Sequence, residues 1–307
     1  MNDLAANEDF GKVAVLMGGS SGEREISLKS GSSVLKALQA NNIDAHGVDA
    51  GRDVFSLLQE NNFERVFIAL HGCGGEDGSI QGGLEIIEMP YTGSGVMASS
   101  ICMNKIMTKQ LWTVKNINSP KFIAIKDTTS YQQVSDFLST PFILKPSLEG
   151  SSLGINKIEN EEQYDIALSQ THKFKGALLA EQWVEGKEYT VAILDGKALP
   201  VIRLETPRGF YDFEAKYQSN DTQYLIPCGL SEAEEKKIQE QALLAFNATG
   251  ASGWGRVDVM IDLAGEHWFL EVNTVPGMTD HSLVPMAAKH VGISFEQLVV
   301  KILQTST

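Results

Sequence analysis

Two carboxylates and an amide, Asp258, Glu271 and Asn273, stand at a spacing that one β-hairpin would gather around a cation. They belong to the stretch from Trp254 to Gly277, where the runs Trp-Gly-Arg-Val-Asp-Val-Met-Ile-Asp and Trp-Phe-Leu-Glu-Val-Asn flank a Gly-containing turn signal. Both runs are rich in β-branched and aromatic residues, so the stretch reads as two antiparallel strands joined by a short loop. Side chains two apart on a strand share a face. This groups Glu271 with Asn273, and hairpin pairing sets Asp258 opposite them. Three hard oxygen donors make too poor a cage for an all-protein Ca²⁺ site but suit Mg²⁺, which keeps waters and takes further ligands from substrate phosphates. Arg256 shares the parity of Asp258 and would present a guanidinium beside the metal. Such groups are equipment for phosphoryl transfer. Acids on hairpins are usually solvated, but Glu271 and Asn273 sit in a run too apolar for a surface edge, and a buried carboxylate needs a partner or a metal.

Phosphates would also need lysines. Lys145 closes the apolar strand Phe142-Ile-Leu-Lys, ahead of a Gly/Ser loop, Pro-Ser-Leu-Glu-Gly-Ser-Ser-Leu-Gly, and a returning strand from Ile155 to Ile158. A loop inside a hairpin covers phosphates as a flap, with backbone N–H groups and hydroxyls. Lys105 is the second candidate cation. Downstream, Ala177 to Val184 reads as a strand ending Glu181-Gln-Trp183-Val184, with Glu188 a few residues on. An apolar linker with free backbone groups, followed by a carboxylate, is a common way to hold adenine and ribose. The stretch from Tyr211 to Gln223 is polar and aperiodic, as functional lids are.

At the other end, Val13 to Met17 is a buried-type strand leading through Gly-Gly-Ser-Ser-Gly-Glu-Arg-Glu into an amphipathic helix from about Ile26 to Leu38. Strand, turn and helix open an α/β unit. The turn lacks both G-x-G-x-x-G and the P-loop spacing, and Glu23 and Glu25 at the helix start would repel a phosphate. Glu23 therefore has two readings, an ammonium contact or a complement to the helix dipole. A second strand, Arg65 to Leu70, ends in His71-Gly-Cys-Gly-Gly-Glu-Asp-Gly, at the edge where open α/β sheets bind ligands. His71 is either structural or suited to a proton shuttle or a carboxylate contact. Pro90-Tyr-Thr-Gly-Ser-Gly precedes a helix from about Val96 to Trp112. Ser231 and Glu234 form a capping box for a helix reaching about Thr249, and Ser294 caps a last helix to about Ile302. Ser282 is open to a carboxylate contact or to helix capping.

The 307 residues exceed a typical single domain, so two or three modules are expected. A hydrophobic content of 43% with 21% charged residues fits a globular chain, and no apolar run approaches the ~18 residues of a membrane span. The acidic N-terminus lacks signal-peptide features, which makes the cytoplasm the expected compartment. Cys73, Cys102 and Cys228 lie far apart, a spacing that suggests neither disulfides nor zinc. A net charge of −14 argues against a nucleic-acid partner.

Seven motifs, in order, resemble those of the D-alanine:D-alanine ligases of the ATP-grasp superfamily: Gly-Gly-Ser-Ser-Gly-Glu-Arg-Glu, His-Gly-Cys-Gly-Gly-Glu-Asp-Gly, Tyr-Thr-Gly-Ser-Gly, Lys-Pro-Ser-Leu-Glu-Gly-Ser-Ser, Glu-Ala-Lys-Tyr, Gly-Arg-Val-Asp and Glu-Val-Asn-Thr-Val-Pro-Gly-Met-Thr. The resemblance covers nearly the whole chain from residue 12. It implies an α/β, three-domain ATP-grasp fold, with an N-terminal open parallel-sheet domain over 1–104 and two α+β domains, 105–190 and 191–307, enclosing the nucleotide. It also implies ATP-dependent joining of two D-alanine molecules through an acyl phosphate, for peptidoglycan precursors of the cell wall. Asp258, Glu271 and Asn273 match the ligands of two Mg²⁺ ions, for which Mn²⁺ substitutes. Lys105, Lys145 and Lys216 match contacts to the ATP phosphates; Glu181, with Trp183 and Val184, matches the adenine side, and Glu188 the ribose. Glu23 matches the residue that binds the first D-alanine's ammonium, and Ser151 and Tyr217 complete a hydrogen-bonded triad with it. Arg256 and the backbone N–H of Gly277 match oxyanion stabilisers, Ser282 and Leu283 the pocket for the second D-alanine, and His71 a neighbour of the first substrate's carboxylate. A homodimer is implied as well.

Departures from the family pattern are small. Leu148 replaces a basic residue of some members, Asn104 takes an acid's place before Lys105, and Cys73 sits at a variable position. Three rival readings are weaker. Ligases that join D-alanine to D-lactate or D-serine depart from the family around the lid, where Tyr217 in Glu-Ala-Lys-Tyr favours the dipeptide. A non-catalytic nucleotide-binding module would have lost ligands that are present here. A metal-dependent hydrolase would give no reason for the lysines and the flap.

Overall fold

Five consecutive buried residues, Val13–Met17, form β1 at the centre of the first sheet. The computed structural model describes residues 9–150, 154–171, 174, 176–206 and 222–306. β1 pairs in parallel with β2 (Ala45–Asp49) on one side and β3 (Arg65–Ile68) on the other. Parallel neighbours need crossovers, here α1 (Arg24–Ala40) and α2 (Val54–Glu60). The second strand expected from the sequence, at Arg65, is therefore the third. β2 escapes sequence reading because Ala-His-Gly-Val-Asp buries only Ala45 and Val48, and pairing with β1 overrides its weak propensity.

After α3 (Ser79–Ile86), the single helix expected from Val96 to Trp112 is two, α4 (Val96–Met103) and α5 (Lys105–Val114). Asn104 makes the break. Its backbone is extended and its side chain accepts the N–H groups of Ile106 and Met107 at 3.1 and 3.2 Å, which caps α5.

The second sheet is antiparallel, in the order β4 (Phe122–Ile125), β7 (Leu178–Gln182), β5 (Phe142–Pro146), β6 (Asn156–Ile158). It is backed by α6 (Tyr131–Leu138) and α7 (Glu161–Thr171) over a core that includes Phe142, Leu144, Ile158 and Tyr164. Phe142 faces Ile158 across β5 and β6, so the Gly/Ser loop does lie within a hairpin.

The third sheet runs β11 (Gln223–Leu225), β10 (Ile202–Glu205), β8 (Gly186–Leu194), β12 (Trp254–Asp262), β13 (His267–Asn273), with β9 (Lys197–Ala198) on β8. α8 (Glu232–Ala248) packs on it, and the capping box of Ser231 and Glu234 is formed as expected. β8 runs unbroken through residue 190, so the domain boundary expected there falls inside a strand of this sheet.

The chain then returns. α9 (Leu283–His290) and α10 (Phe295–Gln304), the latter capped by Ser294 and Gln297, place Leu298, Val299 and Ile302 in one core with Leu16, Val34 and Leu38. Each such side chain contributes about 1.5–3 kcal/mol by leaving water, so the C-terminal helices hold the first sheet against the third. Among the described residues no helix is long and apolar enough to cross a membrane. None of the three cysteines is in a disulfide, and Cys102 and Cys228 are buried.

Candidate active site

β12 and β13 pair with Asp258 opposite Glu271 and Arg256 opposite Asn273, as hairpin alternation requires. β12 is also central, since its other edge pairs with β8 and sets Asp258 opposite Thr190. Asp258 is only 5% exposed and therefore needs partners. It has four donors. Arg256 gives Nε to Oδ1 and Nη2 to Oδ2, both at 2.8 Å; Thr190 Oγ1 donates to Oδ1 at 2.6 Å and Asn273 Nδ2 to Oδ2 at 3.1 Å. Glu271 Oε2 lies 3.1 Å from Lys105 Nζ, which also donates to the carbonyl of Glu149 at 2.7 Å. The first residue of α5 thus ties the flap to the hairpin.

Among the described residues no group of three His, Cys, Asp or Glu side chains forms a cluster suited to a metal. The hairpin set differs in using an amide. Asp258 and Glu271 pair across the hairpin and Asn273 reaches Asp258 through its amide, so the set offers two carboxylates and one amide oxygen, hard donors only, the chemistry that fits Mg²⁺.

A cavity of about 910 Å³ opens between the second and third sheets and is lined by Lys105, Lys145, Glu181, Trp183, Val184 and Glu188, with Asp258 and Glu271 in its wall. Glu181 is buried, with Oε2 paired to Lys145 and Oε1 to Lys109. Burial opposes its charge, yet the two lysines outweigh burial and hold the carboxyl below the usual range. The Lys109 contact is an ion pair without hydrogen-bond alignment. Burial pushes the fully enclosed Lys109 down to about 8 against the pull of Glu181. Glu181 therefore lines the cavity with its carboxylate bridging two lysines. Lys157 Nζ sits 4.8 Å over the ring of Trp183.

Glu23 occupies the N-cap position of α1 and does not cap it through its side chain. It is pressed between two glycines. A Cβ on Gly72, whose φ is +69°, would stand 2.5 Å from Glu23 Oε2, and one on Gly150 of the flap 3.2 Å away. Only glycine serves at 72, for conformation and for space. His71 is buried with both ring nitrogens engaged, Nδ1 to the Val275 carbonyl at 2.9 Å and Nε2 to Ser30 Oγ at 3.1 Å. Burial lowers its pKa and favours the neutral ring. Of its two readings the structural one fits this geometry, and a proton shuttle does not.

Ser282 stands at the N-cap position of α9, but its side chain makes no capping bond there. Its Oγ accepts Thr279 N–H at 2.9 Å and lies beside Gly277, where an added Cβ would approach it to 3.1 Å. Leu283 opens α9 and packs partly buried on the first core. Ser151, Lys216 and Tyr217 lie outside the described residues.

Sequence reading missed four participants. Lys109 follows Lys105 by one helical turn on the buried face of α5, a spacing that could have flagged it. Thr190 lies in an apolar strand, Ser30 in mid-helix and Glu76 in a Gly-rich loop, and only the fold reveals their partners.

Residues 52–94 match the family model for the D-ala D-ala ligase N-terminus, and residues 111–304 the model for the D-ala D-ala ligase C-terminus. The chain is 52% identical over 299 residues to the D-alanine–D-alanine ligase of Nitrosomonas europaea, covering 97% of this chain and 98% of that one. It is 53% identical over 297 residues to that of Alkalilimnicola ehrlichii, covering 97% and 95%. The D-alanine–D-alanine ligase of Bacillus anthracis complexed with ATP superposes with a TM-score of 0.84 at 27% identity over 96% of each chain. The VanG D-Ala:D-Ser ligase of Enterococcus faecalis gives 0.82 at 28% identity over 96% and 98%.

Proposed function

The chain belongs to the D-alanine–D-alanine ligase family, and from that premise we propose that it joins two D-alanine molecules at the expense of ATP, for peptidoglycan precursor synthesis. Its fold is that of the ATP-grasp ligases, one parallel sheet and two antiparallel sheets. The observation that carries the reading is the meeting of Asp258 and Glu271 with Lys105 and Lys145 along a cavity walled by two sheets, with Arg256 and Asn273 bonded to Asp258.

A carboxylate is a poor electrophile, so the first D-alanine is activated by transfer of the γ-phosphoryl group to its carboxylate. Lys105 and Lys145, with Lys216, face the phosphates and neutralise the transferring group, while Trp183, Val184 and Glu188 receive the adenosine. Asp258, Glu271 and Asn273 would hold Mg²⁺, or Mn²⁺, which supplies charge neutralisation of the phosphate oxygens when bound. Glu23 binds the first ammonium, with Ser151 and Tyr217 closing over it. The amine of the second D-alanine, seated by Ser282 and Leu283, attacks the acyl carbon and gives up a proton, the carbon–oxygen bond to phosphate breaks, and phosphate leaves. Arg256 and the N–H of Gly277 stabilise the oxyanion on the way. His71 lies near the first substrate's carboxylate. The homodimer, the cytoplasmic location and the three domains also belong to this reading, with the second domain ending before β8.

The test is phosphate release from ATP and Mg²⁺ with D-alanine, L-alanine or no amino acid, and identification of the product by mass. Release confined to D-alanine, with the dipeptide mass, is the expected result. A mixed product in the presence of D-serine or D-lactate would move the acceptor assignment, and no release with D-alanine would end the reading.

A further inference from the structure

Thr274 to Met278 leave β13 outside any helix or strand, and this short segment carries Gly277. Unsupported backbone is a poor place for an oxyanion donor, whose value depends on being fixed before the reaction. Three side chains from the N-terminal part of the chain fix it. His71 Nδ1 bonds the Val275 carbonyl at 2.9 Å, Glu76 Oε1 accepts the Val275 N–H at 3.3 Å, and Ser30 Oγ accepts the Met278 N–H at 3.1 Å. Both polar groups of Val275 and the peptide just after Gly277 are thereby held. The side chains of Val275 and Met278 are sunk in the first core.

The same groups reach the other way. Glu76 Oε2 accepts the N–H of Gly72 at 2.7 Å, and Gly72 is the residue against which Glu23 packs. Ser30 Oγ meets His71 Nε2 at 3.1 Å, within the loop that frames the same pocket. Glu76 is thus a two-ended brace, with one oxygen on the wall of the first amino-acid site and one on the oxyanion segment.

We propose that Glu76 and Ser30 are positioning residues for the second chemical step, setting the Gly277 N–H against the oxygen on the acyl carbon of the first D-alanine that becomes the oxyanion. The proposal rests on the ligase reading above. Its consequence concerns coupling. With the segment displaced, attack by the amine slows and water competes: the water oxygen bonds the acyl carbon, the carbon–oxygen bond to phosphate breaks, and D-alanine and inorganic phosphate leave.

Two variants remove the brace differently. Glu76→Gln keeps size but replaces one oxygen, which accepts whether the carboxyl is protonated or not, by an NH₂ that cannot accept a backbone N–H, and Ser30→Ala deletes the acceptor of Met278 N–H. Phosphate and dipeptide are measured in the same reaction for wild type, both variants and Glu76→Asp, with thermal unfolding alongside. A wild type that makes no dipeptide ends the ligase reading by itself. Given one phosphate per dipeptide in wild type, each variant is expected to lose about tenfold in dipeptide kcat, with KM for ATP within about twofold and phosphate per dipeptide above one. Glu76→Asp should recover part of the coupling. Folded variants with wild-type kcat and ratio overturn the proposal, as does a lower melting temperature with an unchanged ratio. If Glu76→Gln does not fold, Ser30→Ala decides alone.

Discussion

Arg256 and Asp258, two residues apart on one strand, are joined by a fork of two 2.8 Å hydrogen bonds, from Nε to Oδ1 and from Nη2 to Oδ2. The fork fixes the guanidinium plane against Asp258, which lines the cavity together with Glu271. One carboxylate therefore serves two ends: it belongs to the proposed metal set, and it aims the proposed oxyanion stabiliser.

Arg256→Lys tests the fork. Lysine keeps the charge but lacks the planar pair of donors, so it cannot hold both carboxylate oxygens in one geometry. The expected loss in kcat/KM is about a hundredfold or more, with the melting temperature within a few degrees of wild type. Steady-state kinetics decide it, and a lysine variant within a few-fold of wild type would remove the fork from the mechanism.

Thr190→Val removes the 2.6 Å bond from below Asp258 while keeping the shape of the side chain. The buried carboxylate loses one of four donors, which costs about 1–3 kcal/mol of folding stability. Urea unfolding measures this directly. Because Thr190 is buried beneath the site, activity should fall less than in Arg256→Lys. An unchanged unfolding midpoint would show that the remaining three donors suffice.

The buried chain of Lys109, Glu181 and Lys145 gives a third test. In Lys109→Met, Glu181 keeps only Lys145 as a partner, so that lysine is drawn to the carboxylate and away from phosphate. KM for ATP should rise about tenfold, and breaking a buried pair should destabilise the fold by about 3–5 kcal/mol. Pairing Lys109→Met with Glu181→Gln should recover most of the stability by removing the unbalanced charge. Additive losses in the double variant would show that the two residues act independently.

What could be read in the sequence, and what could not, follows from how local each signal is. The hairpin was legible because alternation and turn chemistry act within twenty-odd residues, and so were the capping boxes at Ser231 and Ser294. The break at Asn104 was legible in part. Asn104 stood out as a departure, but its capping of α5 competes with an apolar helical period that runs across it. β2 was lost because an edge strand with Gly and Asp is made by its neighbour and not by its own residues. The carboxylates were visible as types, whereas their partners were not. Lys109 and Glu181 are 72 residues apart in sequence, and Glu76 and Val275 are 199 apart, so only the packed sheets bring them together.

Glu76 also sets a pH dependence whose sign is fixed. Burial first, and the nearby charge of Glu23 second, push its carboxyl from 4.5 up to about 8, against the pull of the Gly72 and Val275 N–H groups and of Arg256. An acid whose pKa is higher in the fold than in the unfolded chain binds its proton more tightly when folded. Its contribution to stability is therefore full below about pH 4.5 and is lost as pH rises through about 8. Wild type should lose stability between those limits relative to Glu76→Gln, with a slope of at most roughly 1.4 kcal/mol per pH unit. His71 works in the opposite sense, since burial lowers its pKa and an acid medium must charge it on unfolding. Unfolding curves for wild type and Glu76→Gln from pH 5 to 9 measure the effect; stability profiles that stay parallel across this range would show that Glu76 is ionised in the fold, with its two backbone donors and Arg256 outweighing burial.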